Sequence, residues 1–182
     1  MPSHNHSQRM RISHIVLLFV LSSMIGDGQT TTNPELQANL QRLFPTATAF
    51  SSKTGDPPHF KAFGPGTTGA ESLLGFVFWT TELEPLERGY DGPIKVLVGM
   101  DTRGRLTNIV VVEHYEPYGD FSIEPPAFPK QFEDKSIRDR FKVGMDIDAI
   151  ARATITVTST ARAVRNSARQ IARANLTPED VK

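Results

Sequence analysis

The sequence predicts an α+β fold in which a small antiparallel sheet, built on a β-hairpin, is flanked by helices. Two apolar runs, residues 94–101 and 106–115, are joined by a short glycine-containing stretch, which is the pattern of a hairpin. The aromatic and β-branched run 73–80 adds a buried strand. A C-terminal amphipathic helix follows within residues 159–174, because apolar side chains recur there at helical spacing, at Ala161, Val164, Ala168 and Ile171.

The N-terminal half contains one further helix signal. Asn33 is a good N-cap, Pro34 suits the first helical position, and leucines then recur at helical spacing until Pro45. Residues 59–63 form a possible strand in which we expect His59 to be half-exposed. These patterns predict a short helix and a strand that precede the hairpin.

The segment between the hairpin and the C-terminal helix is harder to assign. Residues 116–129 contain four prolines and are predicted to form a long irregular loop, a kind of segment that is commonly functional. A short helix is expected at 131–135, with Phe132 and Phe141 packing inward. Three threonines then alternate with Ile155 and Val157, which predicts a short strand over 154–158 with its hydroxyls on one face and a helix capped by Ser159 or Thr160.

Composition limits the classes of function. The 182 residues suggest a single domain, and 20 basic against 20 acidic residues give a formal net charge of zero. Neutrality argues against a nucleic-acid partner, because phosphate binding needs an excess of Lys and Arg. The absence of cysteine excludes disulfides, thiolate metal sites and cysteine nucleophiles.

The N-terminus has the pattern of an export signal. Arg9 and Arg11 precede the apolar run 12–25, and the small residues Gly26 and Gly28 follow it. Residues 1–28 are therefore predicted to be a signal peptide or, if uncleaved, an N-terminal anchor, and residues 29–182 a single domain. The expected location is periplasmic or extracytoplasmic, with anchoring to the inner membrane in the uncleaved case.

The side chains offer little chemistry of their own. No Gly-x-Ser-x-Gly elbow and no glycine-rich nucleotide loop is present, and after residue 28 only His59 and His114 remain as histidines. The dipeptide 113–114 does not make a metal cluster, so neither a metal site nor a catalytic residue is predicted. A bound redox cofactor would supply the missing reactivity.

One motif points to such a cofactor. Residues 148–154 read Asp-Ala-Ile-Ala-Arg-Ala-Thr and resemble the motif Asp-x-x-Ser/Thr-Gly-Ala-Thr of the FMN-binding domain in the nitrous-oxide-reductase regulator family, of NosR and NirI type. The same domain occurs in flavin subunits of the Rnf and sodium-translocating NADH:quinone reductase complexes. Its threonine carries FMN through a phosphoester bond, so the resemblance implies attachment to Thr154. Ala151 and Arg152 depart from the commonest form of the motif.

Other segments of the chain resemble motifs of the same family and occur in the same order along the sequence. The turn Gly-Tyr-Asp-Gly-Pro-Ile at 89–94 resembles its Gly-aromatic-x-Gly-Pro-Ile turn, and His-Tyr-Glu-Pro at 114–117 is similar to its His-x-Glu-Pro signature. Residues 131–137 resemble the segment that leads to the threonine motif. The resemblance is clearest from 89 to 173, and the family-like core is expected to span about 72–174.

The resemblance implies roles at the phosphate end of FMN. Arg152 and the N-terminus of the following helix would offset the phosphate charge, and Ala153 would leave space for the phosphate beside the backbone. Asp148 begins the motif. The arginine stripe of the same helix, at Arg162, Arg165, Arg169 and Arg173, is either a solvated face or, near Arg162, a second contact with phosphate.

At the ring end, Ile155 is expected to pack on the isoalloxazine. Tyr90 either stacks on the ring or ends the hairpin turn. His114 and Glu116 either hydrogen-bond the polar edge of the ring or form a strand-end pair that makes backbone contacts.

The leading hypothesis is an exported flavoprotein that transfers electrons through covalently attached FMN, a redox carrier rather than a stand-alone enzyme. The resemblance implies a flavin transferase that uses FAD as donor, together with membrane or periplasmic redox proteins as partners. The alternatives are a flavin-free regulatory or docking module of a membrane redox complex, and a flavin-dependent reductase with its own small substrate.

Overall fold

The computed structural model describes residues 33–66 and 69–181, and it confirms the α+β class. A five-stranded antiparallel sheet has the order β1-β2-β3-β4-β5, so each strand pairs with its neighbour in sequence. The predicted leader, 1–28, lies outside the described residues. The strands are β1 (Ala49–Phe50), β2 (Phe60–Pro65), β3 (Glu71–Trp79), β4 (Lys95–Asp101) and β5 (Leu106–Glu113).

Five helices accompany the sheet in the described part of the chain. The two longer ones are α1 (Pro34–Leu43) and α5 (Thr154–Asn175). The other three have a single turn each, and they are α2 (Thr80–Leu83), α3 (Gly119–Ser122) and α4 (Ala127–Lys130). No helix among the described residues is long and apolar enough to cross a bilayer.

The predicted hairpin and its neighbouring strand are confirmed. β4 pairs with β5 and β3 pairs with β4. The turn of the hairpin is tight because the Asp101 carboxylate accepts hydrogen bonds from the main-chain N–H groups of Arg103 and Arg105, both at 2.8 Å. Gly104 adopts φ 74° in this turn, a conformation that glycine reaches without steric cost.

The sheet is covered by one long helix on each face. Alternate side chains of β3 point to opposite faces, so Val77 joins the cluster under α1 with Leu40, while Phe76 and Phe78 join the cluster under α5 with Val164. The predicted cap of α1 is confirmed, since the Asn33 side chain accepts hydrogen bonds from Glu35 N and Leu36 N. The predicted apolar stripe of α5 is buried.

The threonine strand is the main correction. Residues 154–158 are the first turns of α5, not a strand, and the predicted caps Ser159 and Thr160 lie inside the helix. Val157 is buried and continues the helical stripe of Ala161 and Val164 toward the N-terminus. A five-residue alternation of β-branched residues was too short to outweigh the burial of a helical face.

The prolines of 116–129 did not prevent regular structure, since α3 lies within the predicted loop and α4 begins in it. The helix predicted at 131–135 is wrong, because this stretch leaves helical geometry at Asp134, whose φ is 60°, and pairs with Leu106 at the sheet edge. Phe132 and Phe141 are buried as predicted. His59 is buried, not half-exposed, because its ring packs edge-on against Phe76.

Candidate functional site

The N-terminus of α5 lacks a side-chain cap. Its N-cap residue is Ala153, whose methyl group cannot accept a hydrogen bond, and the first intrahelical bond runs from Val157 N to Ala153 O at 2.9 Å. The N–H groups of the first turn therefore have no intrahelical acceptor. Together with the dipole of a 22-residue helix, they make this end attractive to an anion.

A cavity of about 320 Å³ lies at this helix end, which we call the Thr154 cavity. This volume is at the lower end of the usual range for small-molecule pockets. Exposed apolar surface borders it, since Ile155 is 55% and Tyr90 71% exposed. Its lining consists of Tyr90, Pro117, Tyr118, Arg152, Thr154, Ile155 and Thr156.

The backbone turns into the helix through Arg152, which has φ 67°. This left-handed conformation is costly for a residue with a Cβ atom, and it accounts for glycine at the same position of the resembling motif. The next residue, Ala153, is buried, and its N–H bonds Ile150 O at 3.1 Å. Arg152 itself is exposed at the rim of the Thr154 cavity.

The structure distinguishes the three threonines at the start of α5. Thr154 is exposed, and its hydroxyl makes no hydrogen bond within the described part of the chain. Thr156 is only 3% exposed and donates its hydroxyl hydrogen to Glu116. Thr158 is half-buried and lines a different cavity. Of the three, Thr154 offers the most exposed nucleophilic oxygen.

Glu116 is the residue that joins the hairpin turn to the helix. Its carboxylate is 6% exposed and accepts hydrogen bonds from Tyr90 N at 2.9 Å, Asp91 N at 3.0 Å and the Thr156 hydroxyl. A Cβ atom at Gly89 would lie 2.2 Å from the Glu116 Oε1 atom, so only glycine leaves room for this contact. Glu116 therefore lies behind the lining of the Thr154 cavity and holds the turn at Tyr90 and the first turn of α5 together.

His114 lies outside the Thr154 cavity and supports the loop that follows β5. Its Nε2 is 2.9 Å from the Glu124 Oε1 atom, and its Nδ1 accepts a hydrogen bond from Glu116 N at 3.2 Å. Gly119 packs against the imidazole so closely that an added Cβ atom would lie 2.0 Å from His114 Cε1. The imidazole lines a neighbouring cavity instead.

Two other predicted residues also lie away from the cavity. Asp148 is exposed, and its N–H donates to the Gln131 Oε1 atom at 2.6 Å. Arg162, two turns along α5, pairs with Glu87 at 2.8 Å and lines the same separate cavity as Thr158. No group of three or more potential metal ligands occurs among the residues that the structure describes.

The sequence predicted that Tyr90, Arg152, Thr154 and Ile155 belong to one site, and these four residues do line one cavity. It did not predict the other three lining residues, Pro117, Tyr118 and Thr156. Pro117 and Tyr118 fall in the stretch that the prolines marked as a functional loop, which was the one available signal. The bond from Thr156 to Glu116 spans 40 residues and had no sequence signal.

The residues of the Thr154 cavity fit a phosphorylated flavin. Uncapped N–H groups and Arg152 suit a phosphate, and exposed tyrosine and isoleucine side chains suit a planar ring.

Comparison with known proteins agrees with this chemistry. The family model described as the FMN-binding domain matches residues 89–169, a segment that contains the whole Thr154 cavity and the Glu116 contact. No curated protein matches the chain. FMN is the cofactor that the match indicates, and it supports a role in flavin binding and electron transfer. Residues 89–169 thus match the FMN-binding domain, the family that the sequence resemblance indicated.

Proposed function

We propose that the chain is an exported electron-transfer flavoprotein whose FMN is attached to the Thr154 hydroxyl through a phosphoester bond. The observation that carries the proposal is the position of this hydroxyl. It is exposed, it lies at the uncapped N-terminus of α5, and Arg152 is two residues away at the rim of the same cavity.

The attachment is a phosphoryl transfer from FAD, catalysed by a separate flavin transferase. The Thr154 oxygen attacks the phosphorus on the FMN side of the pyrophosphate, so one O–P bond forms while the O–P bond to AMP breaks. AMP leaves, and the hydroxyl proton passes to a base of the transferase. No oxidant or reductant is consumed, and the exposure of Thr154 leaves the hydroxyl accessible to a second protein.

The chain's own residues then hold the product in place. The N–H groups of the first α5 turn and the Arg152 guanidinium stabilise the phosphodiester charge. Tyr90, Tyr118 and Ile155 offer surface against which the ring can pack. Bound FMN supplies one- and two-electron redox chemistry, which the side chains of this protein lack.

Export and the respiratory context belong to the same proposal. Support comes from the basic and apolar pattern of residues 1–28 and from the similarity of the 148–154 motif to the NosR type. A covalent bond has a physical advantage outside the cytoplasm, where dissociated FMN would be lost. The proposed location is periplasmic, with or without a membrane anchor, and the proposed partners are membrane or periplasmic redox proteins.

Co-expression with a flavin transferase tests the attachment. The protein should show flavin fluorescence on a denaturing gel, Thr154→Val should abolish it, and Thr154→Ser should retain it because a hydroxyl remains. Thr158→Val is the matched control, since it removes the same group one turn away. Thr156→Val is unsuitable as a control, because it also breaks the buried contact with Glu116.

Two results would overturn the proposal. Fluorescence that persists in Thr154→Val would show that the flavin is attached to another residue. Wild-type protein that carries no flavin beside an active transferase would favour the alternative, a flavin-free docking module.

A further inference from the structure

A second cavity, of about 590 Å³, lies between α5 and the segment 138–143, and its lining is strongly basic. We call it the basic cavity. No acidic residue is part of its lining, while Phe141, Val143 and Thr158 supply the remaining surface. Its six cationic residues are Arg138, Arg140, Lys142, Arg162, Arg165 and Arg169.

Most of this charge is not neutralised within the described residues. The one recorded ion pair joins Arg162 to Glu87 at 2.8 Å. Other guanidinium groups bond to main-chain carbonyls: Arg169 donates to Ile137 O at 2.8 Å and to Asp139 O at 2.9 Å. A carbonyl satisfies a donor but carries no net charge. The cavity therefore holds a strong positive potential in a chain whose formal net charge is zero.

The electrostatics of Arg169 agree with this conclusion. Burial, followed by repulsion from Arg165 and Arg173, lowers the pKa of Arg169 from its usual value. Arg165 also lines the basic cavity, so side chains of the same sign lie close together there. An anion in the cavity would relieve that repulsion.

The arginines are also held in defined positions. Arg165 donates to Asn166 Oδ1 through Nε at 3.1 Å and Nη2 at 3.0 Å, and Arg169 is fixed by its two carbonyl contacts. These bonds use the Nε and Nη2 donors, and they hold the Nη1 donors of both guanidinium groups in place for the oxygens of phosphate or carboxylate groups. Diffuse attraction to a membrane needs only flexible lysines on an open face. The concave shape likewise favours a small ligand over a flat surface.

We propose that the basic cavity binds a small molecule that carries two or more phosphate or carboxylate groups. The basic cavity shares no lining residue with the Thr154 cavity, although Thr158 lies one helical turn from Thr154. The ligand is therefore distinct from the FMN phosphate at Thr154. This inference does not depend on covalent flavin attachment.

Calorimetric titration of the purified full chain with pyrophosphate and, separately, with citrate tests the proposal. The informative variant is Arg140→Gln combined with Lys142→Gln. The Arg140 side chain contacts only the Met145 sulfur at 4.0 Å, and the Lys142 side chain has no recorded partner among the described residues, so the fold should survive. We expect one binding site per chain and at least a roughly tenfold loss of affinity in this variant.

The matched control is Arg103→Gln combined with Lys130→Gln, which removes the same charge from positions outside the cavity. It should keep the wild-type affinity. Tighter binding of pyrophosphate than citrate identifies phosphate as the preferred group, and the reverse order identifies carboxylate. The proposal is overturned if neither anion binds, if both double variants lose affinity equally, or if only an acidic polypeptide such as polyglutamate binds.

Discussion

Replacing Glu116 by alanine should destabilise the protein strongly, because this carboxylate accepts three hydrogen bonds in a buried position. A hydrogen bond to a charged group contributes about 1.5–3 kcal/mol, so three such bonds set an upper range of roughly 4.5–9 kcal/mol. Water can reach part of the 89–91 turn, where Tyr90 is largely exposed, and can replace some of the lost contacts. We therefore expect a loss of about 2–4 kcal/mol in the free energy of unfolding.

Urea denaturation followed by far-UV circular dichroism measures this loss. The control Glu124→Gln removes an exposed charge from the same loop but keeps the Oε1 acceptor beside His114, so it should change the free energy of unfolding by less than about 0.5 kcal/mol. A double-mutant cycle of Glu116→Gln with Thr156→Val should show a coupling of about 1 kcal/mol or more. A loss below about 1 kcal/mol in Glu116→Ala, or additive effects in the cycle, would refute the role of Glu116 as the link between turn and helix.

Three further changes test separate features. Arg152→Gly should raise the free energy of unfolding by roughly 0.5–1 kcal/mol in urea titrations, because relief of the left-handed conformation outweighs the entropy that glycine adds to the unfolded chain; a loss of stability would contradict this. Gly119→Ala should cost about 1–3 kcal/mol despite the better helix propensity of alanine, because the new methyl group meets His114; an unchanged urea midpoint would argue against that packing. Burial opposes ionisation of Asp146, but hydrogen bonds from two main-chain N–H groups and the nearby Lys135 hold its pKa below the usual 3.8. The stability it contributes is therefore present above about pH 4 and lost as the pH falls through the lowered pKa, so thermal melts of Asp146→Asn should show a weaker acid dependence than wild type.

Much of the fold follows from local patterns. The hairpin, β3 and α1 were predictable because each has its own periodicity or cap: two apolar runs around Gly104, an aromatic run, and Asn33 before Pro34. The start of α5 was not predictable in this way. Thr154 to Thr158 have the composition of a strand, and only the burial of Val157 against the sheet decides that they are helical.

The residues of the site likewise include some that the sequence could predict and some that it could not. Thr154, Arg152 and Tyr90 could be predicted to lie together because the motifs that contain them resemble those of a known family, and all three line one cavity. Backbone contacts of Glu116 were one of two alternatives that the sequence left open. Its partners and its burial could not be predicted, because the partners lie 25 to 40 residues away in sequence and two of them are main-chain N–H groups, which nearly every residue type has. Motifs therefore predicted which residues lie together at this cavity, while long-range contacts determine its geometry.

The position of the flavin tests the central claim most directly. Trypsin cleavage after Arg152 and Arg162 releases the peptide 153–162, which holds Thr154, Thr156 and Thr158 together. Fragmentation of this peptide from protein co-expressed with a flavin transferase should place the mass of one FMN, less one water, on Thr154. An unmodified peptide, or FMN on Thr156 or Thr158, would contradict the account.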